Sequence, residues 1–359
     1  MELMFLALRD LRFATGRFAV MTAVLVLISF LVVMLSGLTA GLGNQSIAAI
    51  RGIGAEHFAL DGGGTDPSDV SFGESTVTDS QRAALAAQPG VADTAVLGVA
   101  PGRVGSVGRE VAAALFGVAP GSFAAPAGLR PATAAVDAQL AADNGWSPGT
   151  ILTVGGREVT VAALVEDSYY SHQPVVWLDL GTWRDLPATA GADGTVIALR
   201  TGSGFDAATV AAATGTSVLD TSATLDTIGS YTSERGSLLL MQAMLLVVGA
   251  LVVGAFFTVW TVQRSRDIAV LRAIGASTSY LLRDALGQAA VVLVLGTGLG
   301  TVAATAAGAA AATVVPFTLS AATTVLPFVA LVGIGLLGAA AAVARIGSVD
   351  PLTALAAAH

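Results

Sequence analysis

The chain has 359 residues, a mean hydropathy of +0.76 and only 12% charged residues, where a soluble domain carries about 25%. It contains no cysteine, which excludes disulfides, thiolate metal sites and cysteine nucleophiles. All 17 basic residues are arginine and the net charge is −8; a phosphate-binding P-loop requires lysine, so this chain carries none, and if ATP drives it another chain binds the ATP.

Residues 1–17 alternate apolar side chains (Leu3, Phe5, Leu6, Leu8, Leu11, Phe13) with Arg9, Asp10 and Arg12, a pattern that predicts a cytoplasmic amphipathic helix lying on the inner membrane surface. From Phe18 to Ile50 there is no charged residue. A spanning helix needs roughly 20 apolar residues, and the first is expected over 18–42. The run exceeds the roughly 7–15 residues of a signal-peptide core and no Ala-x-Ala site follows, so it reads as an uncleaved anchor. Gly37 and Gly41 form a small-residue pair suited to close helix approach.

Residues 43–235 form the large polar segment, expected to be an α+β domain outside the bilayer. Ile151–Val154 and Glu158–Leu164 flank Gly155-Gly156 and predict a β-hairpin. Val175–Leu178 and Val196–Arg200 read as further strands. Helices are expected at Asp79–Ala87, capped by Ser80 or Asp79, at Ala134–Asn144 and at Asp206–Thr214.

A second charge-free run, Gly236 to Gln263, holds the second span at 236–263. Residues 264–284 continue it as a charged cytoplasmic segment, with Ile268, Leu271 and Ile274 on one face and Gly275 as a C-terminal cap. The third run, Ala285 to Ala344, is long enough for two spans, at 285–313 and 324–345. An outer loop at 314–323 joins them, and Pro316 and Pro327 mark the bend. Residues 346–359 form a tail. The fold class is therefore a membrane protein of four transmembrane α-helices in a one-plus-three order, with a large α+β domain between the first and second.

Charge sets the orientation. Arg9, Arg12 and Arg17 flank the first span, and Arg264, Arg266, Arg272 and Arg283 fill the short middle loop, whereas the segment 44–235 holds twenty acidic residues against nine arginines. Short basic loops stay in the cytoplasm. Both termini are thus cytoplasmic and the acidic domain is extracellular, as expected of a multi-pass plasma-membrane protein.

Spans without ionisable groups argue against intramembrane proteolysis, proton pumping and charged ion filters. His57, His172 and His359 lack metal-ligand spacing, and no Gly-x-Ser-x-Gly elbow is present. The reading is a non-catalytic protein with no metal site.

Arg266-Asp267-Ile268-Ala269-Val270-Leu271-Arg272-Ala273-Ile274-Gly275-Ala276-Ser277 resembles the coupling segment of MacB/FtsX-like ABC transporter permeases, and Val349-Asp350-Pro351-Leu352 resembles their ending. Within that family, Ser36-Gly37-Leu38-Thr39-Ala40-Gly41-Leu42-Gly43-Asn44 is similar to the exit of the first span in the haem-efflux (Hrt-type) permeases of Gram-positive bacteria. Leu140–Asn144, Asp167–His172, Gly229–Glu234 and Ala255–Val259 are similar to further segments of that subgroup, in the same order. Arginine in place of lysine and an alanine-rich tail are the departures.

The resemblance implies a permease subunit that works as a homodimer with a separate pair of cytoplasmic ABC ATPase subunits (a two-plus-two complex) in the lipid bilayer, without nucleic acid. ATP and Mg2+ belong to the partner, no cofactor is resident, and haem is the expected substrate, expelled by a mechanical stroke. Arg266, Asp267, Leu271, Arg272, Gly275 and Arg283 would couple to the ATPase. Tyr231, Glu234, Arg235, Met34, Met241 and Met244 are the candidate substrate-binding residues: Tyr231 and Glu234 as oxygen ligands to haem iron, Arg235 for a propionate, and the methionines as an adaptable lining. His172 is a weaker candidate ligand, more readily a packing residue. The alternatives are export of another amphiphile, such as an antimicrobial peptide or lipid, and an FtsX-like transmembrane signalling module.

Overall fold

The computed structural model describes residues 15–344 apart from 63, 107, 190, 264–269, 271–273, 275, 276 and 313. Most of the expected N-terminal helix, the coupling residues Arg266, Asp267, Leu271, Arg272 and Gly275, and the tail lie outside the described residues. In chain order the elements are α1 (Thr15–Gly52), β1 (His57–Asp61), α2 (Asp79–Ala86), β2 (Val91–Ser106), β3 (Arg109–Val118), β4 (Thr133–Asp137), α3 (Ala138–Asn144), β5 (Ile151–Val154), β6 (Arg157–Val165), β7 (Tyr169–Tyr170) and β8 (Gln173–Asp179). There follow α4 (Leu180–Arg184), β9 (Val196–Thr201), α5 (Ala207–Thr214), β10 (Thr216–Asp220), α6 (Thr221–Asp226), α7 (Gly229–Gln263), α8 (Thr278–Ala311) and α9 (Ala321–Ala344). Two compact units result, Leu42–Gly236 and the remainder.

The unit Leu42–Gly236 is built on one sheet in the order β10-β1-β9-β2-β3-β8-β4-β6-β5. The long strand β2 also pairs with β5 (Val104 with Val154, Gly105 with Thr153). The pairings β2-β3-β8-β4-β6-β5 therefore close into a ring, and one buried cluster takes side chains from each of those strands: Val104, Leu115, Val176, Val136, Val161 and Leu152, with Trp183. Gly98 and Gly117 face each other across β2 and β3. A β-carbon at either would lie less than 3.0 Å from the Trp183 side chain, so this glycine pair is the platform on which the indole lies. The arm β9-β1-β10 buries Ala59, Ile197 and Val218 against Leu85 of α2 and Val210 of α5. A third cluster joins Phe58, Leu60, Phe116, Trp177 and Leu219 to Ile47 and Ile50 from the last turns of α1 and to Ile53 just after it.

Several expectations are corrected here. The stretch 134–144 is not one helix: Ala134, Ala135 and Val136 are buried in β4, and the helix starts only after Asp137, whose carboxylate accepts the amides of Gln139 and Leu140. The cap of α2 is Thr78, in a reciprocal capping box with Gln81, because its extended backbone aims the hydroxyl at the free amides. The long β2–β3 ladder was not expected at all.

The second unit holds the apolar parts of four helices that are long and apolar enough to cross a membrane. Backbones approach through missing side chains. A β-carbon at Gly300 of α8 would strike the carbonyl of Val26, and one at Gly296 would meet Leu25, both on α1. Gly338 of α9 faces the carbonyl of Ala250 on α7 in the same way. The Ser29 hydroxyl donates to the Thr297 carbonyl at 2.8 Å, and Met21, Leu25, Val253, Phe257, Val292, Leu293 and Ala339 form the buried cluster. Pro327 does not mark a bend between two spans: α9 begins at Ala321, and the proline lies inside it. Its missing N–H removes one backbone hydrogen bond there without ending the helix.

Candidate functional site

The segments singled out in the sequence meet within the unit Leu42–Gly236, where the last turns of α1 and the first turns of α7 flank the β7–β8 hairpin. Tyr170 pairs with Gln173, leaving Ser171 and His172 as a two-residue turn with positive φ at both (49° and 63°). Such turns favour Asn-Gly, because side chains other than glycine are strained there. Bonds to α1 offset that strain: the Ser171 amide donates to the Ser46 carbonyl at 3.1 Å and the His172 amide to the Gln45 carbonyl at 3.2 Å. Beneath the turn, the Tyr170 ring packs on Phe72 and Phe116, and burial pushes its hydroxyl pKa up to about 12.

Held this way, the imidazole of His172 places Nε2 2.8 Å from Oε2 of Glu234 on α7 and 3.1 Å from the Ser46 hydroxyl on α1. The hydroxyls of Ser171 and Ser230 are 3.0 Å apart beside it. His172 and Glu234 keep about a third of their side-chain surface exposed (35% and 29%), so the pair is open to solvent and to a ligand. This trio is no serine-hydrolase relay. Such a relay needs the serine and the acid on opposite ring nitrogens, whereas here both share Nε2, and Ser46 is fully buried.

Tyr231, one turn before Glu234, is half-buried and packs on the cluster that includes Ile47 and Ile50. The Arg235 guanidinium lies 5.8 Å from the Tyr231 ring centroid and 3.6 Å from the Asp226 carboxylate. Both partners of that ion pair are about half exposed, so it is a weak, exchangeable contact. In the other unit Met34 is half-buried, and Met241 and Met244 share an exposed face of α7. Arg283 is exposed near the start of α8, the helix that Ser277 caps by accepting from the Tyr280 amide.

His57 does not join the cluster: its Nδ1 is 3.2 Å from the Thr201 hydroxyl and its ring packs on Phe205, and burial lowers its pKa. His359 lies outside the described residues. Among the described residues there is no group of three histidine or carboxylate side chains that could hold a metal ion. Gln45 and Ser46 are the functional contacts missed in the sequence. They follow directly on the Ser36–Asn44 stretch.

Comparison with known proteins gives four findings. Residues 239–351 match the family described as FtsX-like permease C-terminal. The chain is 24% identical over 364 residues, covering 98% of both chains, to HrtB of Staphylococcus haemolyticus, provisionally named a hemin transport system permease protein. It is 26% identical over 368 residues to an uncharacterised ABC transporter permease of Mycobacterium tuberculosis, covering 98% of this chain and 99% of the relative. Among solved structures, the periplasmic region of MacB from Actinobacillus actinomycetemcomitans covers 48% of this chain and 92% of its own length, at 14% identity and a TM-score of 0.37. The family match, the four apolar helices and the arginine-rich short loops place the protein in the plasma membrane as a multi-pass protein with its large domain outside.

Proposed function

We propose that this chain, which matches the FtsX-like permease C-terminal family over residues 239–351, is an ABC transporter permease and the membrane subunit of an ATP-driven haem exporter. The observation that carries the cargo assignment is the end-to-end similarity to a relative named for hemin transport. The cluster of Glu234, His172 and Tyr231 supports it with suitable chemistry. Haem is flat, apolar and membrane-partitioning, and its iron accepts carboxylate, phenolate or imidazole ligands. In this reading Glu234 or Tyr231 supplies an oxygen to the iron, Arg235 exchanges Asp226 for a propionate, and Met34, Met241 and Met244 line the route through the membrane. The imidazole of His172 is hydrogen-bonded to Glu234, so haem competes with it for the carboxylate.

A separate ATPase pair supplies the energy, acting on a dimer of this chain through residues 264–283 and the N-terminal segment, and the permease itself performs no covalent chemistry. The test is a haem titration of the purified permease–ATPase complex, followed by the Soret band. Tyr231→Phe and Glu234→Gln should each shift the band and weaken binding. His172→Ala should strengthen binding if the histidine competes, and weaken it if the histidine is itself a ligand. An ATP-hydrolysing complex with no haem-dependent spectrum would remove haem as the cargo and leave another amphiphile as the substrate.

A further inference from the structure

The segment between α8 and α9 sends one aromatic side chain back into the helix bundle. Phe317 is seated against Gly37 of α1 and Gly308 of α8: a β-carbon at either glycine would lie less than 3.0 Å from its ring. Two further contacts fix the loop. The Thr318 amide donates to the Gly37 carbonyl at 3.1 Å, and Gly41, one turn along α1, leaves room for the Pro316 carbonyl. Gly37 and Gly41 therefore serve as the floor of a socket for a loop.

The loop is tied at its other end to α9. The Thr323 hydroxyl donates to the Thr318 carbonyl at 3.0 Å, and Ser320 and Thr323 cap each other's amides at the helix start. Phe317 is thus tied through Thr318 to the first turn of α9, while its socket belongs to α1 and α8. Leaving the socket has a low energetic cost. Lipid tails are as apolar as the socket, so withdrawal forfeits close contact but gains no water-exposed apolar surface. A contact of this kind can have two positions in a protein that does mechanical work.

We propose that Phe317 is a removable wedge: seated, it fixes the spacing of α1 and α8 at the Gly37–Gly308 level, and it leaves the socket when the partner ATPase closes. The glycines allow a graded test. A methyl group added at position 37 or 308 would be met by the end of a flexible ring, which can swing out, whereas a methyl at position 41 meets the Pro316 backbone, which cannot. The variants are therefore Gly37→Ala, Gly308→Ala and Gly41→Ala. Gly298→Ala, where an added β-carbon finds only an ordinary contact at 3.9 Å, is the helix-matched control.

Because the chain has no cysteine, Leu319→Cys gives a single attachment point for an environment-sensitive dye on this loop. In the permease–ATPase complex in nanodiscs, emission should shift when ATP and vanadate trap the closed state. With Gly308→Ala the resting emission should already match the trapped value, and cargo-free ATP hydrolysis should rise about 5-fold, a typical allosteric coupling. Gly298→Ala should behave as wild type, which separates loss of the wedge from general damage to α8. Identical emission in resting and trapped complexes would overturn the proposal, as would a Gly308→Ala complex with wild-type emission and basal hydrolysis. Neither outcome bears on the identity of the cargo.

Discussion

The helices of the outer domain begin with a side chain, and the spanning helices meet where one is missing. Thr78, Asp137, Asp179, Asp206 and Asp220 each cap a helix by accepting its first free amides. In the membrane unit the helix–helix contacts are made at Gly296, Gly300 and Gly338. The difference follows from the solvent. In water, burying an apolar side chain contributes about 25 cal/mol per Å2 of area removed, and unpaired amides compete with water unless capped. In lipid neither force acts between helices, and only close approach and interhelical hydrogen bonds remain.

Removing volume should therefore damage the outer domain most, and adding it should damage the membrane unit. Trp183 is almost fully buried, fills the sheet ring, and donates its indole N–H to the Leu115 carbonyl at 3.1 Å. Trp183→Ala should destabilise the domain by about 3–5 kcal/mol, seen as proteolysis of the full-length protein within the segment 42–236 at temperatures where wild type resists. A resistant variant would mean that the Gly98–Gly117 platform does not need its indole. Gly300→Leu should cost about 1–3 kcal/mol by overfilling the approach to Val26 and Ser29, lowering the melting temperature in detergent. Gly298→Leu should not. Equal effects at both positions would remove the close-approach argument.

The same contrast explains what was legible in the sequence. Four spans show in the charge-free runs because lipid imposes one rule on twenty consecutive residues. The β5–β6 hairpin showed through Gly155-Gly156, and strands β8 and β9 through their runs of Val, Ile, Leu and Trp. Strand β2 did not, because Gly98, Pro101, Gly102 and Gly105 break the pattern of a strand; those glycines instead serve tight contacts such as the one beneath Trp183. Tyr231, Glu234 and Arg235 could be named from their place at a helix end. Their partners could not. His172 meets Ser46 across 126 residues and Glu234 across 62, and no local pattern encodes that meeting.

Acid separates the carboxylates of the outer domain by sign. Hydrogen bonds from Ser222 and the Ala223 amide hold the Asp220 carboxyl below its usual 3.8, and the Arg184 bond does the same for Asp79. A lowered carboxyl contributes stability that is present above 3.8 and lost as the pH falls through the folded value. Burial raises the Asp137 carboxyl, so its contribution is present at low pH and lost as the pH rises through its folded value. Thermal melts of the full chain should therefore lose stability below pH about 4. Asp220→Asn should flatten that loss, and Asp137→Asn should instead remove a loss of stability that sets in as the pH rises above 3.8. A common shift in both variants would contradict the opposite signs. At neutral pH Asp220→Ala should cost about 1 kcal/mol through loss of the cap itself.

The smallest effect tests the comparison most directly, with one serine in each unit. Ser168 is buried in the outer domain and its hydroxyl accepts the Trp177 indole N–H at 2.8 Å. Ser168→Ala leaves that N–H without its partner, which should cost about 1–3 kcal/mol. Ser29 is buried in the membrane unit, and its hydroxyl donates to the Thr297 carbonyl. That carbonyl also accepts the Thr301 hydroxyl at 2.8 Å, so Ser29→Ala strands no polar group. It should cost about 0.6 kcal/mol, the average for such bonds between membrane helices. If the two alanine variants lower the melting temperature equally, hydrogen bonds in the two units weigh the same, and the glycine sockets alone would distinguish the membrane unit from the outer domain.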